Sequence, residues 1–274
     1  MKKAIALCCT LLSVTLLISG CSAGNSPSQA ANHPHQAASH QKAKSGSSSA
    51  NLEQSSSSAG TLSQATTENS GSATDVLSAV QEALQGTPNL RLPSAVPVAS
   101  GFYLSAQTQT TSDGYVVIFK QTNQPITLND ASLASAHTIA SFRAKTYADE
   151  ADAAKQMNYY RYDSSDGRAI DLGSEITGYA DAGAGTAGIS WNEGRWMLEV
   201  LSPTADSDRG ETLAKNVVRF LQQQSLPAPH TYGSIQMYTD SRQDTLSWQD
   251  GQTIYSVTDT TSPFTMLTVA ASTK

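Results

Sequence analysis

The hydrophobic positions of this chain divide it into three parts. Residues 4–18 form an almost unbroken apolar run that follows two lysines. Residues 22–72 contain almost no large apolar side chain and consist mostly of Ser, Ala, Gln, Asn and Gly. From residue 73 onward the apolar side chains return with the spacing of helices and strands, which predicts that the folded part of the protein starts there.

Helical spacing marks four segments of this third part. Residues 74–86 and 206–224 carry apolar side chains at three- and four-residue intervals, so each is predicted to be a helix. Residues 148–160 begin with acidic side chains, which favour the first turn of a helix, and they are predicted to form another. Residues 261–274 contain Ser262, which can cap a fourth helix.

Alternation of apolar and polar residues predicts strands in the remaining segments. Residues 101–123 alternate and contain an Asp-Gly pair, a typical hairpin turn, so they are predicted to be a β-hairpin. Residues 136–146 are predicted to be a single strand, and residues 168–173 and 175–181 two short ones.

One hairpin pattern occurs twice. Residues 189–200, ISWNEGRWMLEV, and residues 246–257, LSWQDGQTIYSV, share an apolar residue, Ser, Trp, an amide, an acid and Gly in the same order. The glycine of each copy suits the left-handed position of a hairpin loop. Trp191 and Trp248 are therefore expected at matching positions of two hairpins, each leading to a predicted helix.

These elements predict an α+β fold of antiparallel β-hairpins, each followed by a helix and repeated at least twice, after a disordered N-terminal tether. Residues 101–160 are a more divergent candidate for a third copy. Residues 73–274 are expected to form the folded region, either as one unit or as two subdomains, 73–165 and 166–274. A chain of this length can bury roughly 70% of its unfolded surface.

The apolar run ends at Ile18-Ser19-Gly20-Cys21. It is shorter than the about 20 residues that a membrane span needs, and it has the size of a signal-peptide core. The sequence around Cys21 resembles the lipobox of bacterial lipoproteins. The resemblance implies that a diacylglycerol is joined to the sulfur of Cys21, that the chain is cut after Gly20, and that residues 1–20 are a lipoprotein signal peptide.

A lipid anchor on Cys21 would determine where the protein lies. Stable anchoring generally takes two acyl chains, and a diacylated cysteine carries two. Residues 21–72 would then be the lipidated N-terminus and a disordered linker, because their composition cannot offset the entropy cost of ordering. The expected location is the extracytoplasmic face of the cell membrane, with the membrane itself as one partner through the lipid.

Charge and cysteine content exclude several functions. The chain has 17 basic and 23 acidic residues and no basic patch, so nucleic-acid binding is not expected. Its 3 cysteines are Cys8, Cys9 and Cys21, two of them in the signal segment. Once Cys21 is lipidated, no thiol remains for a disulfide, a redox site or a zinc site. No cofactor and no metal site are expected.

The C-terminal segment resembles a known but uncharacterised family. The pattern W-x-x-G-x-x-x-Y-x-V, followed after about ten residues by L-x-x-V-A-x-S, runs from Trp248 to Ser272. It resembles the C-terminal motif of a domain found in envelope lipoproteins and anti-sigma-type proteins of Gram-positive bacteria. The resemblance implies an extracytoplasmic α+β domain and carries over no catalytic residue.

The folded region offers few candidates for chemistry. No nucleophile elbow, zinc-protease motif or phosphate loop is present. His137 and His230 are expected to be ordinary strand or loop residues, and the acids of residues 163–175 to be a solvated turn rather than a calcium loop. Trp191, Trp196 and Trp248 are expected in the core, although they could instead stack on sugars or peptides.

The strongest candidate for a binding surface is the aromatic cluster at residues 159–162. Tyr159, Tyr160, Arg161 and Tyr162 are residue types that often anchor interfaces, although burial under a helix is the alternative. We therefore expect a non-enzymatic binding or interaction module at the cell envelope, with an unknown envelope protein or wall component as partner. The alternatives are a solute-binding lipoprotein of a transport system and a cell-wall hydrolase, which is disfavoured by the lack of a nucleophile–base–acid set.

Overall fold

The computed structural model describes residues 72–274. The predicted signal peptide, the cleavage position at Gly20, the lipidation site Cys21 and the linker up to residue 71 lie outside the described residues. Among residues 72–274, no helix combines the length and the apolar character that crossing a membrane requires.

The described chain forms ten strands, four α-helices and two short 3-10 helices. The strands are β1 (Tyr103–Thr111), β2 (Gly114–Thr122), β3 (His137–Thr146), β4 (Arg168–Asp171), β5 (Thr177–Gly183), β6 (Thr186–Glu193), β7 (Trp196–Pro203), β8 (Gly233–Tyr238), β9 (Thr245–Asp250) and β10 (Thr253–Thr258). The α-helices are α1 (Ala73–Ala83), α2 (Glu150–Ala154), α3 (Ser207–Leu221) and α4 (Pro263–Ala271). The 3-10 helices are Ala131–Ser135 and Thr204–Asp206.

All ten strands belong to one sheet. Their order is β1-β2-β3-β10-β9-β8-β7-β6-β5-β4. Neighbours are antiparallel except for β7 and β8, which run parallel because α3 lies in the connection between them. The pairing of β3 with β10 joins an early strand to the last strand of the chain, so segments from both sides of residue 165 share the sheet.

The hydrophobic core lies between one face of the sheet and the helices. Helix α3 packs on β6 and β7, α4 on β3, β9 and β10, and α1 on β1. Side chains alternate between the two faces of a strand, so one face supplies the core residues, among them the fully buried Trp191, Leu198 and Trp248. The core placement expected for the tryptophans is confirmed.

The two similar sequence segments form hairpins with the same internal geometry. Trp191 of β6 lies opposite Leu198 of β7, and Trp248 of β9 lies opposite Tyr255 of β10. The turns contain Gly194 and Gly251, with φ angles of 60° and 59°. These values lie in the left-handed region, which glycine adopts without a steric penalty.

The predicted fold class was wrong. The protein is mostly β, a single ten-stranded sheet with four short helices, and not an α+β assembly of repeated hairpin–helix units. The two similar hairpins are each followed by a helix, but backbone hydrogen bonds join both to six other strands in one sheet. The predicted helix at 148–160 contributed to the error, since only Glu150–Ala154 is helical and the tyrosines that follow lie outside any helix or strand.

Candidate functional site: the open face of the sheet

The sheet has one covered face and one open face. Because Trp191 and Trp248 point toward the helices, their neighbours Ser190, Asn192 and Ser247 point to the opposite side. This opposite side, which we call the open face, carries polar side chains together with apolar ones such as Val116, Met197 and Ile254. Three of the four described α-helices, α1, α3 and α4, lie on the covered face. The fourth, the five-residue α2, contacts β10.

Two rows of side chains cross the open face from strand to strand. The first polar row runs over β5 to β9 and consists of Tyr179, Ser190, Glu199, Gln236 and Thr245. The second polar row runs over β6 to β10 and onto β3, and consists of Asn192, Met197, Ser234, Ser247, Ser256 and Arg143. These rows arise from the register of the strands and not from any run of polar residues in the sequence.

Residues 147–167 cross the open face at one end; we call them the crossing segment. Asp149 caps the short helix α2, its carboxylate accepting a hydrogen bond from the Asp152 N–H at 2.8 Å. Beyond the helix the backbone is anchored to Asn192, whose Oδ1 accepts from the Tyr162 N–H at 2.8 Å and whose Nδ2 donates to the Tyr160 carbonyl at 3.0 Å. The crossing segment thereby lies on the β6–β8 end of the second polar row, where Met197 and Ser234 are buried.

The crossing segment brings four tyrosines together; we call Tyr159, Tyr160, Tyr162 and Tyr232 the tyrosine cluster. Tyr159 stacks on Tyr232 with ring centroids 3.9 Å apart, and Tyr160 meets Tyr162 edge to face at 5.0 Å. Tyr160 is 51% exposed and Tyr232 is 39% exposed. The predicted surface residue Arg161 is also exposed, and it forms no ion pair with any residue of 72–274.

Hydrogen bonds order the middle of the first polar row. The side-chain amide of Gln236 donates to Glu199 Oε2 at 2.7 Å, and the Tyr238 hydroxyl donates to Gln236 Oε1 at 2.7 Å. At the crossing segment, Tyr162 hydrogen-bonds Ser190, and burial raises the pKa of the Tyr162 hydroxyl, with a further contribution from the nearby Glu199 carboxylate. The tyrosine therefore stays a neutral hydroxyl at physiological pH.

Two carboxyl groups have a pKa raised by burial, but they lie far apart. Glu193 ends β6 and accepts a hydrogen bond from the indole of Trp191, which opposes the rise in its pKa. Asp244 precedes β9, and the backbone N–H of Tyr238 opposes the rise there. Glu193 pairs with Trp196 at the start of β7, and β8 runs parallel to β7. Asp244 contacts Tyr238 at the end of β8, so the two carboxyl groups lie at opposite ends of these strands.

The histidines and the acidic turn take structural positions. His137 begins β3, and His230 lies with its Nδ1 2.9 Å from Glu150 Oε1. Asp163 and Asp166 accept hydrogen bonds within their own turn, from Ser165 and from the Asp163 backbone. Within residues 72–274, no three side chains of His, Cys, Asp or Glu are placed to hold a metal ion.

A cleft of about 300 Å³ on the covered face is lined in part by charged side chains. It lies between the first turns of α3 and strands β4 to β6, and Arg168, Asp181, Asp208 and Glu211 are among its lining residues. Ile170 and Ile189 form apolar parts of its wall. This mixture of one cation and three carboxylates is accessible to solvent and shows no hydrogen-bonded catalytic arrangement.

Sequence reasoning missed several residues of the open face. Tyr232, Gln236 and Tyr238 lie on or beside β8, a strand that was not predicted. The alternation of Ile235 and Met237 with polar neighbours is the signal that could have revealed it.

Glu199 lay within a predicted strand, but its neighbours across the sheet depend on the parallel pairing of β7 with β8.

Comparison with protein-family models, with curated proteins and with solved structures found no match for this chain.

Proposed function

We propose that this protein is a lipid-anchored, extracytoplasmic binding module of the cell envelope, non-enzymatic, with its binding surface on the open face. The lipobox-like sequence at Cys21 supports the anchor and the location. The observation that carries the binding role is the tyrosine cluster: Tyr159 stacks on Tyr232, Tyr160 meets Tyr162 edge to face, and Tyr160 and Tyr232 are exposed.

Two physical properties of the tyrosine cluster favour recognition at this surface. Tyrosine rings supply a large contact area with few rotatable bonds, so that little entropy is lost when a partner binds. The cluster is already ordered by ring contacts and by the hydrogen bonds of the crossing segment, which lowers the cost of binding further. Neither alternative, a solute-binding lipoprotein or a wall hydrolase, is favoured by a specific observation on the described residues.

Site-specific crosslinking in intact cells tests the proposal. A photoreactive phenylalanine analogue replaces Tyr160 in the full chain, and a matched variant carries it at Gln222, an exposed position at the end of α3 on the covered side. We expect covalent adducts with envelope material from position 160 and few or none from position 222. Equal yields from both positions, or no adduct from position 160, would contradict the proposal.

A further inference from the structure

We propose that a small pocket at the end of helix α3 binds a primary ammonium group carried on an alkyl chain, either a free amine or a lysine side chain. The pocket lies on the covered face, so this inference is independent of the function proposed for the tyrosine cluster. Its lining residues are Glu193, Trp196, Leu221, Gln224, Ser225 and Leu226, and we call it the Glu193 pocket. The geometry that carries the inference is a carboxylate without a cation, set between apolar walls.

The carboxylate of Glu193 has one oxygen engaged and one oxygen free. Its Oε1 accepts a hydrogen bond from the indole of Trp191 at 2.8 Å, which fixes the orientation of the group. Its Oε2 has no hydrogen-bond partner among residues 72–274. Because Glu193 lines the pocket, a donor that enters the pocket can bind to this second oxygen.

No cation of the described chain compensates the charge of Glu193. The ion pairs within residues 72–274 do not include it. Arg195 is the nearest cation in sequence, but its guanidinium donates to the carbonyl oxygens of Pro229 and His230, at 2.8 and 3.0 Å. Burial raises the pKa of the Glu193 carboxyl. Since a half-buried carboxylate without a partner is costly, a bound cation would remove a penalty that the free protein carries.

The end of helix α3 also favours a cation in this pocket. The helix has 15 residues and ends at Leu221, which is one of the lining residues. The last carbonyl groups of a helix carry a partial negative charge, so the helix end and the carboxylate both attract positive charge. Arg219, the basic residue of the last turn, donates to Asn216 and does not line the pocket.

The walls and the size of the pocket favour an alkylammonium group over a metal ion. Trp196, Leu221 and Leu226 are apolar and suit methylene groups, and the Trp196 indole is held in place by the Pro227 carbonyl at 3.1 Å. Divalent metal ions require several oxygen ligands, and the described residues provide no cluster of three acids or histidines. Since a cavity of about 150 Å³ can hold benzene, the pocket volume of about 170 Å³ is enough for the end of a lysine side chain.

Titration of the full chain, purified from membranes in mild detergent, with n-butylammonium chloride at mildly alkaline pH tests this inference. Labelling with ¹⁵N-tryptophan gives an NMR signal for the indole of each of the 3 tryptophans. We expect a saturable shift of the Trp191 indole signal, because its acceptor Glu193 binds the amine. Nα-acetyl-lysine methylamide is titrated in parallel. Tighter binding of this derivative would identify a polypeptide as the source of the ammonium group, and tighter binding of n-butylamine would identify a free amine.

The controls separate the charge from the alkyl chain. Butan-1-ol carries the same chain without the charge, and sodium chloride at equal concentration reports the effect of salt alone. Glu193→Gln keeps an acceptor for Trp191 and should weaken binding of n-butylamine by about tenfold or more, since a hydrogen bond between charged groups is lost. Asp244→Asn neutralises a buried carboxyl at the other end of the strands and should leave the binding unchanged.

Three outcomes would overturn the inference. The first is the absence of a saturable shift with either amine, and the second is undiminished binding by Glu193→Gln. The third is an equal shift with n-butylamine and with butan-1-ol or sodium chloride. This last comparison uses only the wild-type protein, so it decides the question even if Glu193→Gln does not fold.

Discussion

The indole ring of Trp196 covers Gly233 on the neighbouring strand. The two residues are directly paired across the parallel contact of β7 and β8. A Cβ atom built on Gly233 would lie 2.3 Å from Cε3 of Trp196, closer than side chains ever pack. Trp196 is held from its other side, since its indole nitrogen donates to the Pro227 carbonyl at 3.1 Å. The ring therefore has little freedom to move away.

Gly233→Ala is expected to destabilise the protein by about 2 kcal/mol or more, because overpacking of a rigid site typically costs about 1–3 kcal/mol. Urea-induced unfolding followed by tryptophan fluorescence measures the change. Gly183→Ala is the matched control, because no atom lies within 4 Å of the Cβ position there. A similar small effect in both variants would show that Trp196 can shift without cost.

The equivalent tryptophans of the two hairpins differ in one hydrogen bond, and this difference is testable. Trp191 donates to Glu193 Oε1 at 2.8 Å, whereas the indole nitrogen of the fully buried Trp248 has no partner among residues 72–274. Both Trp→Phe changes remove similar volume, but only Trp191→Phe leaves a half-buried carboxylate without its donor.

We therefore expect Trp191→Phe to cost about 1–3 kcal/mol more than Trp248→Phe in the free energy of unfolding. Each Trp→Ala change should cost about 3–5 kcal/mol, because the rings are core residues. Equilibrium denaturation of all four variants gives the comparison. Equal costs for the two Trp→Phe changes would mean that the hydrogen bond to Glu193 adds no net stability.

The buried carboxyl of Glu193 predicts a particular pH dependence. Burial raises its pKa in the folded state, so between the ordinary and the raised pKa the folded protein binds more protons than the unfolded chain. Stability contributed by this group therefore falls as pH rises through that interval. Glu193→Gln keeps an acceptor for Trp191 and cannot ionise, so its stability relative to the wild type should increase with pH and then level off.

Asp113 provides a control of opposite sign. The hydrogen bond from Thr111 is the main cause that lowers the pKa of this carboxyl. The folded state then gains stability above the ordinary pKa and loses it as pH falls through the lowered one. Thermal unfolding from acidic to neutral pH should show Asp113→Asn destabilised at neutral pH and equal to the wild type in acid. Parallel profiles for the two variants would contradict at least one of the two assignments.

The proposed lipid anchor makes a prediction that is independent of the folded region. Because cleavage and acylation at a lipobox both require its cysteine thiol, the proposal predicts that Cys21→Ala abolishes fatty-acid incorporation and cleavage after Gly20. The variant should remain as uncleaved precursor or be shed after cleavage elsewhere. Metabolic labelling followed by mass spectrometry of the N-terminal peptide measures this. Finding an unmodified Cys21 in the mature wild-type protein would remove the argument for the location.

The elements that local sequence could predict are those with strong local signals. The hairpin turns at Gly194 and Gly251 and the helix capped by Ser262 lie where the sequence placed them. Helix α1 was also located, although it begins at Ala73, one residue before the predicted start, and is capped by Ser72. In these cases the turn or cap chemistry is contained within a few successive residues.

The features that local sequence could not predict depend on contacts between distant segments. The residues after Ala154 leave the helix because Tyr159, Tyr160 and Tyr162 find partners on the sheet. The second polar row places Ser234 beside Ser247 only because β8 pairs with β9. Tertiary contacts of this kind override local propensity, and no spacing rule within one segment encodes them.

The place of the last strand has a consequence for how the protein acquires its structure. Strand β10 sits in the middle of the sheet, where Tyr255 faces both Trp248 and Ala144. During synthesis from the N-terminus, the hairpin of β1 and β2 can pair with β3 early. The other edge of β3 stays unpaired until β10, near the C-terminus, has been synthesised. Such long-range closure slows folding and exposes an edge to other chains meanwhile. Premature termination just before residue 253 would leave β1 to β3 and β4 to β9 as two separate groups of strands with no strand to join them.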